Sequence, residues 1–334
     1  MSKVQAQSLP IILKGYDVLA RAKTGTGKTM GFLLPAVEKM AQTKPNPRFV
    51  SVLVLSPTRE LASQIQAEAV KLTKFHPIEI CCVVGGTNIN TDKKRLARQV
   101  DILVATPGRL QDHLKNTEGV VQKLGKLQVL ALDEADQLLE MGFRPDIERI
   151  LSMLGPMAGR QTLLFSATVP DGVHKVSKLA MKADHKYIDC IDPSEDSTNI
   201  QVDQTKLVVS FEQRIYAIVQ LLADAQRNPA AKVIVFFSTA RECGHMSELC
   251  NFMNIPVLEI HSRKSQGHRT KTAEQFKQST TAVLFSSDVS ARGMDYPDVT
   301  NVIQDHHERT VHPSAWPDRA RGQERARVHP ARAV

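Results

Sequence analysis

Short apolar runs recur along the first half of the chain, with stretches of helical periodicity between them. The runs are Val18 to Ala20, Val50 to Leu55, Ile80 to Val84, Ile102 to Ala105, Val129 to Leu132 and Thr162 to Phe165. Glu60 to Lys74 is one of the amphipathic stretches that separate them. Strands buried on both sides read as continuous apolar runs, so this alternation predicts a parallel sheet with helices on both faces. Residues Asp189 to Asn199, reading DCIDPSEDSTN, break the series with polar, turn-forming positions and suit an interdomain linker. A second alternating series follows, with Lys206 to Val209, Lys232 to Phe237, Val257 to Ile260, Ala282 to Phe285 and Val299 to Ile303 as strands. The fold class is therefore α/β, in two units, the second smaller than the first. From Asp305 the periodicity stops.

Length agrees with two units, since 334 residues exceed the roughly 250 to 300 at which a single core stops growing. With 42% hydrophobic and 23% charged residues, and no apolar run near the roughly 18 residues needed to cross a bilayer, the composition is that of a globular protein with no membrane partner. Lys and Arg number 43 against 35 Asp and Glu, and the resulting +8 favours a polyanionic partner without requiring one. Five cysteines form no Cys-x-x-Cys pair and no Cys/His cluster at zinc spacing, so reduced and mostly buried thiols are expected. Met1-Ser2-Lys3-Val4 has neither the charged and apolar start of a signal peptide nor an Arg-rich transit segment, which suits an intracellular protein.

Two segments carry chemistry. Ala22-Lys23-Thr24-Gly25-Thr26-Gly27-Lys28-Thr29 lies between an apolar run and the helical stretch Gly31 to Met40. That is the setting of a phosphate-binding loop: glycines let backbone N–H groups turn toward phosphates, Lys28 reaches the outer phosphate oxygens and the Thr29 hydroxyl holds Mg²⁺. Further on, the run Val129 to Leu132 delivers Asp133-Glu134-Ala135-Asp136 at its C-terminal end, where open α/β sheets bind ligands. Asp133 would complete the Mg²⁺ shell, and Glu134 would orient and deprotonate an attacking water.

Together these residues resemble the DEAD-box RNA helicases of superfamily two, and the resemblance runs from Gln5 to about Gln304. Val4-Gln5 is similar to the end of the Q motif, whose glutamine reads adenine; the aromatic residue that precedes it in the family would fall before Met1. AKTGTGKT is motif I, Pro57-Thr58-Arg59-Glu60-Leu61 motif Ia, and Asp133 to Asp136 motif II. Gly85-Gly86 and Thr106-Pro107-Gly108-Arg109 are RNA-side motifs, and Ser166-Ala167-Thr168 is motif III, which couples nucleotide to RNA. In the second unit Val235 to Thr239 resembles motif IV, His261-Ser262 the segment after it, and Ser286 to Asp295 motif V. The wording SSDVSARGMDYPDV is similar to a fungal subgroup with mitochondrial members, although it does not separate mitochondrion, nucleus and cytoplasm.

The resemblance implies two tandem RecA-like domains, ATP and Mg²⁺ as cofactors, RNA as partner and a monomeric chain that hydrolyses ATP to unwind or remodel short RNA duplexes. It assigns catalysis to Lys28, Asp133, Glu134, Ser166, Thr168 and Arg292, and nucleotide binding to Gln5, Thr24, Gly25, Thr26, Gly27, Lys28, Thr29 and Asp295. Metal binding falls to Thr29 and Asp133. Arg59, Gly86, Thr106 and Arg109 would grip phosphates and 2′-OH groups, so binding should ignore base sequence and weaken with salt. Ser166 and Thr168 have a plainer alternative role, capping a helix that begins near Pro170. The expected layout is a nucleotide-binding domain over 1–188, a linker over 189–205, an incomplete second domain over 206–304 and a tail over 305–334.

One element of the family pattern is absent: H-R-x-G-R-x-x-R should follow Gln304 within about twenty residues. The tail instead reads DHHERTVHPSAWPDRARGQERARVHPARAV, which holds four of the eleven histidines and the single tryptophan, Trp316. Read one base later, codons for His312 to Arg321 permit Ile-His-Arg-Leu-Gly-Arg-Thr-Ala-Arg, the glycine being forced by the lone tryptophan codon. The tail thus reads as a frame-shifted product, against the plainer alternative of a basic disordered extension. Its share of the net charge is +2, leaving +6 for the helicase-like part. Two rival functions follow: a nucleotide- and RNA-binding fragment without turnover, and a phosphate-loop enzyme of another class, such as a small-molecule kinase or DNA translocase. Transcripts sequenced across the Gln304 codon are expected to reveal the shift; an intact frame matching this tail in independent clones would refute a sequence or gene-model error.

Overall fold

A computed structural model describes residues 1–43, 46–191, 203, 205–210, 212–287 and 296–305. The chain divides into two compact units, Met1–Asp192 and Pro193–Val334.

In the first unit the strands are β1 (Val18–Arg21), β2 (Val52–Leu55), β3 (Ile80–Val83), β4 (Ile102–Ala105), β5 (Val129–Leu132), β6 (Gln161–Ser166) and β7 (Lys186–Asp189). They form one seven-stranded sheet in the order β3-β4-β2-β5-β6-β1-β7, with every pair parallel. The helices are α1 (Lys3–Leu13), α2 (Lys28–Thr43), α3 (Arg59–Leu72), α4 (Ile89–Ala97), α5 (Pro107–Asn116), α6 (Val120–Leu124), α7 (Ala135–Glu140), α8 (Arg144–Met153) and α9 (Asp171–Ala180).

Alternation along each strand feeds two cores, one on each face of the sheet. In β2, Leu53 and Leu55 join one core, while Val52 and Val54 join the other with Phe32, Met40 and Phe165. Thr58 caps α3 by accepting the Leu61 N–H at 3.2 Å, which fixes where the chain turns from strand to helix. Because the strands are parallel, all their C-terminal ends lie at one edge, and the segments after β1 to β6 are the motif-bearing ones.

A buried aspartate ties the opposite edge together. Asp17, 2% exposed, accepts the Thr162 N–H through Oδ1 at 2.9 Å and the Lys182 N–H through Oδ2 at 2.9 Å. It also lies 3.7 Å from Lys182 Nζ. It therefore sets the start of β6 and the end of α9 relative to β1.

The strand β7 was not expected from the sequence. Its residues KYID are polar because it is an edge strand with one side chain, Ile188, in the core and Tyr187 exposed. The linker expected from position 189 begins one residue inside this strand, and most of it lies outside the described residues.

In the second unit, β8 (Lys232–Phe237), β9 (Leu258–Ile260), β10 (Ala282–Ser287) and β11 (Asn301–Asp305) form a parallel sheet in the order β11-β8-β10-β9. Around it lie α10 (Arg214–Gln226), α11 (Ala240–Phe252) and α12 (Gln266–Gln278), with a core on each face. Arg214 joins two of these elements, its Nε lying 2.7 Å from both Asp305 carboxylate oxygens and its Nη2 3.2 Å from Glu242 Oε1. One expected strand is absent: Lys206 to Val209 adopts no regular structure, and Leu207 and Val208 are exposed. β-branched residues make a strand only where a neighbouring strand supplies hydrogen bonds and a packed face, and no described strand pairs with this segment. The tail from position 306 lies outside the described residues.

All five cysteines are free thiols; Cys81, Cys82, Cys243 and Cys250 are buried and Cys190 is half-buried. Burial pushes the Cys81 thiol up to about 11 and those of Cys82 and Cys243 up to about 12. No described helix is long and apolar enough to cross a membrane.

Asp17→Ala strands the buried Thr162 N–H and the part-buried Lys182 N–H and is expected to lower unfolding stability by about 3 kcal/mol. Urea denaturation followed by circular dichroism measures it; a loss under about 1 kcal/mol would refute the anchoring role.

Candidate active site

The segment 22–27 joins β1 to α2 and contains two left-handed glycines, Gly25 at φ 71° and Gly27 at φ 86°. At Gly27 the conformation is reinforced by crowding, because a Cβ there would lie 2.5 Å from Gln5 Nε2. That same Nε2 donates to the Gly27 carbonyl at 3.1 Å, and Gln5 Oε1 accepts the Ser2 N–H at 3.0 Å. Gln5 is thus a brace for the loop as well as the base-reading residue its motif suggests. Thr26 Oγ1 donates to the Lys23 carbonyl at 2.8 Å, closing the turn; Thr24 is half-buried and Gly25 exposed beside it.

Lys28 opens α2 and is 6% exposed, yet its Nζ has no hydrogen-bond partner among the described residues. A buried ammonium without acceptors is costly, and phosphate oxygens would supply them. The half-buried Thr29 follows, and the first turn of α2 holds no acidic residue to repel an anion.

Asp133 stands just beyond β5, 2% exposed, its N–H held by the Leu55 carbonyl at 3.0 Å. Burial raises its carboxyl above the ordinary aspartate range, while the Lys28 charge and the Glu134 N–H, 3.0 Å from Oδ1, oppose the rise. Glu134 itself takes a left-handed backbone at φ 48°, ψ 55°. Such a conformation costs a non-glycine residue on the order of 1 kcal/mol or more and persists where surrounding bonds over-determine it.

Those bonds converge on Asp136, which sequence reasoning placed in the motif but gave no role. Its Oδ2 accepts both the Thr168 N–H at 2.9 Å and the Thr168 hydroxyl at 2.8 Å. Its own N–H goes to Ser166 Oγ at 3.0 Å. Ser166 and Thr168 are therefore tied to the acidic segment. The helix-capping alternative fails, since α9 has Pro170 at its cap and no side-chain cap bond. The signal was present in the sequence: Asp136 lies in the first turn of a helix, its amide and carboxylate both needing partners. Packing adds a second link, because Phe165 of β6 meets Phe32 of α2 with ring centroids 5.6 Å apart.

The segments after β2, β3 and β4 form a neighbouring cluster. The Arg59 guanidinium lies so close to Gly85 and Gly86 that a Cβ on either would crowd it, and Gly86 needs its φ of 81°. Thr106 Oγ1 accepts the Gly85 N–H at 3.4 Å. Arg109 departs from its expected task of gripping phosphate. It is 8% exposed, donates to the Val84 carbonyl at 3.0 Å and the Thr87 carbonyl at 2.7 Å, and so holds this loop from behind. Arg292 and Asp295 lie outside the described residues.

The first unit matches the family model described as DEAD/DEAH box helicase over residues 2–176, and the second matches that of the helicase conserved C-terminal domain over residues 213–329. Among similar curated proteins, DEAD-box ATP-dependent RNA helicase 31 of Oryza sativa subsp. japonica is 50% identical over 313 residues, which cover 91% of this chain and 57% of the relative. DEAD-box ATP-dependent RNA helicase 26 of Arabidopsis thaliana is 46% identical over 312 residues, covering 91% and 36%. A solved structure of DEAD-box helicase Mss116 bound to ssRNA and UDP-BeF is similar with TM-score 0.81 at 33% identity, covering 91% of this chain and 64% of that one. Mss116p bound to ssRNA and AMP-PNP gives 0.80 at 33%, covering 91% and 63%. The chain spans about half the length of the curated relatives it matches.

Lys28→Ala is expected to weaken binding of a fluorescent ATP analogue by about tenfold or more, as loss of a charge-assisted phosphate contact requires; unchanged affinity in a fluorescence titration would exclude the loop as a phosphate site. Held by Asp133, as the motif suggests, Mg²⁺ would compete with a proton on that carboxyl, which burial raises. Mg²⁺ affinity should thus fall with decreasing pH, starting above the range of an exposed aspartate, and Asp133→Asn should remove that dependence in calorimetry.

Proposed function

The chain belongs to the DEAD/DEAH box helicase family, and we propose that it hydrolyses ATP to remodel short RNA duplexes without regard to base sequence. The observation that carries this reading is the buried Lys28 ammonium, lacking a hydrogen-bond partner among the described residues and electrostatically linked to Asp133 at the edge where the motif segments gather.

Lys28 and the backbone of 24–29 would hold the phosphates, and Gln5 would keep the loop shaped for them. Thr29 and Asp133 are the residues to hold Mg²⁺, which when bound neutralises charge on the phosphate oxygens. The Glu134 carboxylate would orient the attacking water and accept its proton. Asp136, through Ser166 and Thr168, fixes the acidic segment against the end of β6, so a change on either side is felt by the other. The segments carrying Arg59, Gly86 and Thr106 offer polar groups and close backbone approach, which suits contact with phosphate and sugar. A solution monomer and a mitochondrial setting belong to the same proposal, the second resting on the wording of residues 286–299.

A second reading is favoured by one observation: the arginine-rich motif expected after Gln304 is missing from the chain as written, although the C-terminal family model extends to residue 329. Arginines in that motif neutralise charge in the transition state, an effect worth about 10³ to 10⁵ in rate in related hydrolases. Without them the chain would bind nucleotide and RNA with little turnover. Steady-state ATPase, with RNA, with DNA and with neither, should be measured on this chain and on a version carrying the shifted-frame tail. The first reading expects RNA-stimulated turnover in both versions, the second in the shifted-frame version alone. Turnover at comparable rates in the chain as written would exclude the defect, and stimulation by DNA alone would exclude the RNA substrate.

A further inference from the structure

Behind the loop between β3 and α4 lies a polar cluster that the nucleotide chemistry does not use. Its centre is Asp92, in the first turn of α4 and 2% exposed. Around its Oδ2 stand the Thr87 hydroxyl at 3.0 Å, Arg109 Nη1 at 3.7 Å and His113 Nε2 at 3.6 Å. His113 is fully buried; its Nδ1 is engaged with Thr117 Oγ1 at 2.8 Å, and burial lowers its basicity.

A carboxylate this deep is a poor source of stability, because its desolvation offsets the attraction to its partners. What the cluster provides is position. Arg109 spends its Nε and Nη2 on the carbonyls of Val84 and Thr87, and the Thr87 hydroxyl also lies 2.8 Å from the Val84 carbonyl. Both inward-facing carbonyls of the loop and its one hydroxyl are thereby held from below by groups that Asp92 orients. The exposed Gly86 is left on the outer side, with Arg59 beside it. The spacing supports a built arrangement: Asp92 with Leu96, and Arg109 with His113, are i, i+4 pairs on the buried faces of α4 and α5.

We propose that Asp92 is a positioning residue for RNA binding, acting through Arg109 and Thr87 to hold Gly85 and Gly86 in the conformation that meets the phosphate–sugar backbone. The proposal rests on the reading that this loop faces RNA. Once aligned, rigid backbone groups bind without paying an ordering entropy at each encounter, so loosening the support should weaken RNA binding while leaving the nucleotide loop unaffected.

The test uses Asp92→Asn in the full chain, which keeps the size and an acceptor for Thr87 but removes the charge facing Arg109. Fluorescence anisotropy with a fluorescein-labelled oligouridine, in Mg²⁺ and a non-hydrolysable ATP analogue, gives RNA affinity. Titration with a fluorescent ATP analogue gives nucleotide affinity. The expected result is RNA affinity lower by about tenfold, the scale of one lost charge-assisted hydrogen bond, with nucleotide affinity changed by less than about twofold. Unchanged RNA affinity overturns the positioning role, as does a parallel loss of both affinities, which would mark general unfolding. Failure of the unsubstituted chain to bind RNA would instead remove the reading of the loop itself, and the positioning role with it.

Discussion

Parallel strand pairing is the constraint on which the rest of the first unit depends. Each of its six ladders runs in the same direction, so the backbone must cross back through a helix after every strand and re-enter from the far edge. Segments distant in sequence are thus delivered side by side. Asp136 and Thr168 are 32 positions apart yet share one carboxylate oxygen, and Gln5 reaches Gly27 across 22. Neither contact is available to a local helix or hairpin. The sheet makes them possible, and the apolar strands that build it have no other chemical role.

Charge is handled differently in the two halves of the site. At the nucleotide end, Lys28 and Asp133 are buried and electrostatically linked without a direct hydrogen bond between them, and the Lys28 ammonium has no acceptor among the described residues. That arrangement is expensive in isolation and favourable once phosphate and cation are present, which is how a site is pre-organised for a charged ligand. Around Arg109 the opposite holds, since its donors are spent on backbone carbonyls and a carboxylate stands beside it. The first environment is built to receive something; the second is built to keep a loop still.

The sequence made most of the architecture legible, for reasons visible in particular residues. The runs at 102–105 and 129–132 are strands with those bounds because each is apolar at every position and bracketed by polar residues. The edge strand 186–189 was hidden because an edge needs one buried side chain, too few to register as a pattern. The segment 206–209 has strand-forming residues but no described partner, and propensity cannot report on partners. At the site, residues defined by backbone needs were readable, as with Gly25 and Gly27. Residues defined by tertiary neighbours were not: Arg109 was expected to grip phosphate although the fold also spends it on carbonyls of a neighbouring loop, and nothing in the sequence singled out Asp92 or His113. The chemistry of such side chains is set by what the fold brings behind them.

The burial of the cysteines has a practical side. Thiolate is the species that reacts with alkylating reagents, and three of the five thiols are held at about 11 to 12 with almost no access. Cys250 is buried as well, which leaves Cys190, half-exposed just past the last strand of the first unit and 3.1 Å from Gln7 Oε1. Burial raises the Cys190 thiol as well, so access and not acidity sets it apart, and a maleimide dye would attach there first, just past the end of β7. The sequence as it stands thus offers one accessible attachment point at the end of the first unit, without removal of any other cysteine.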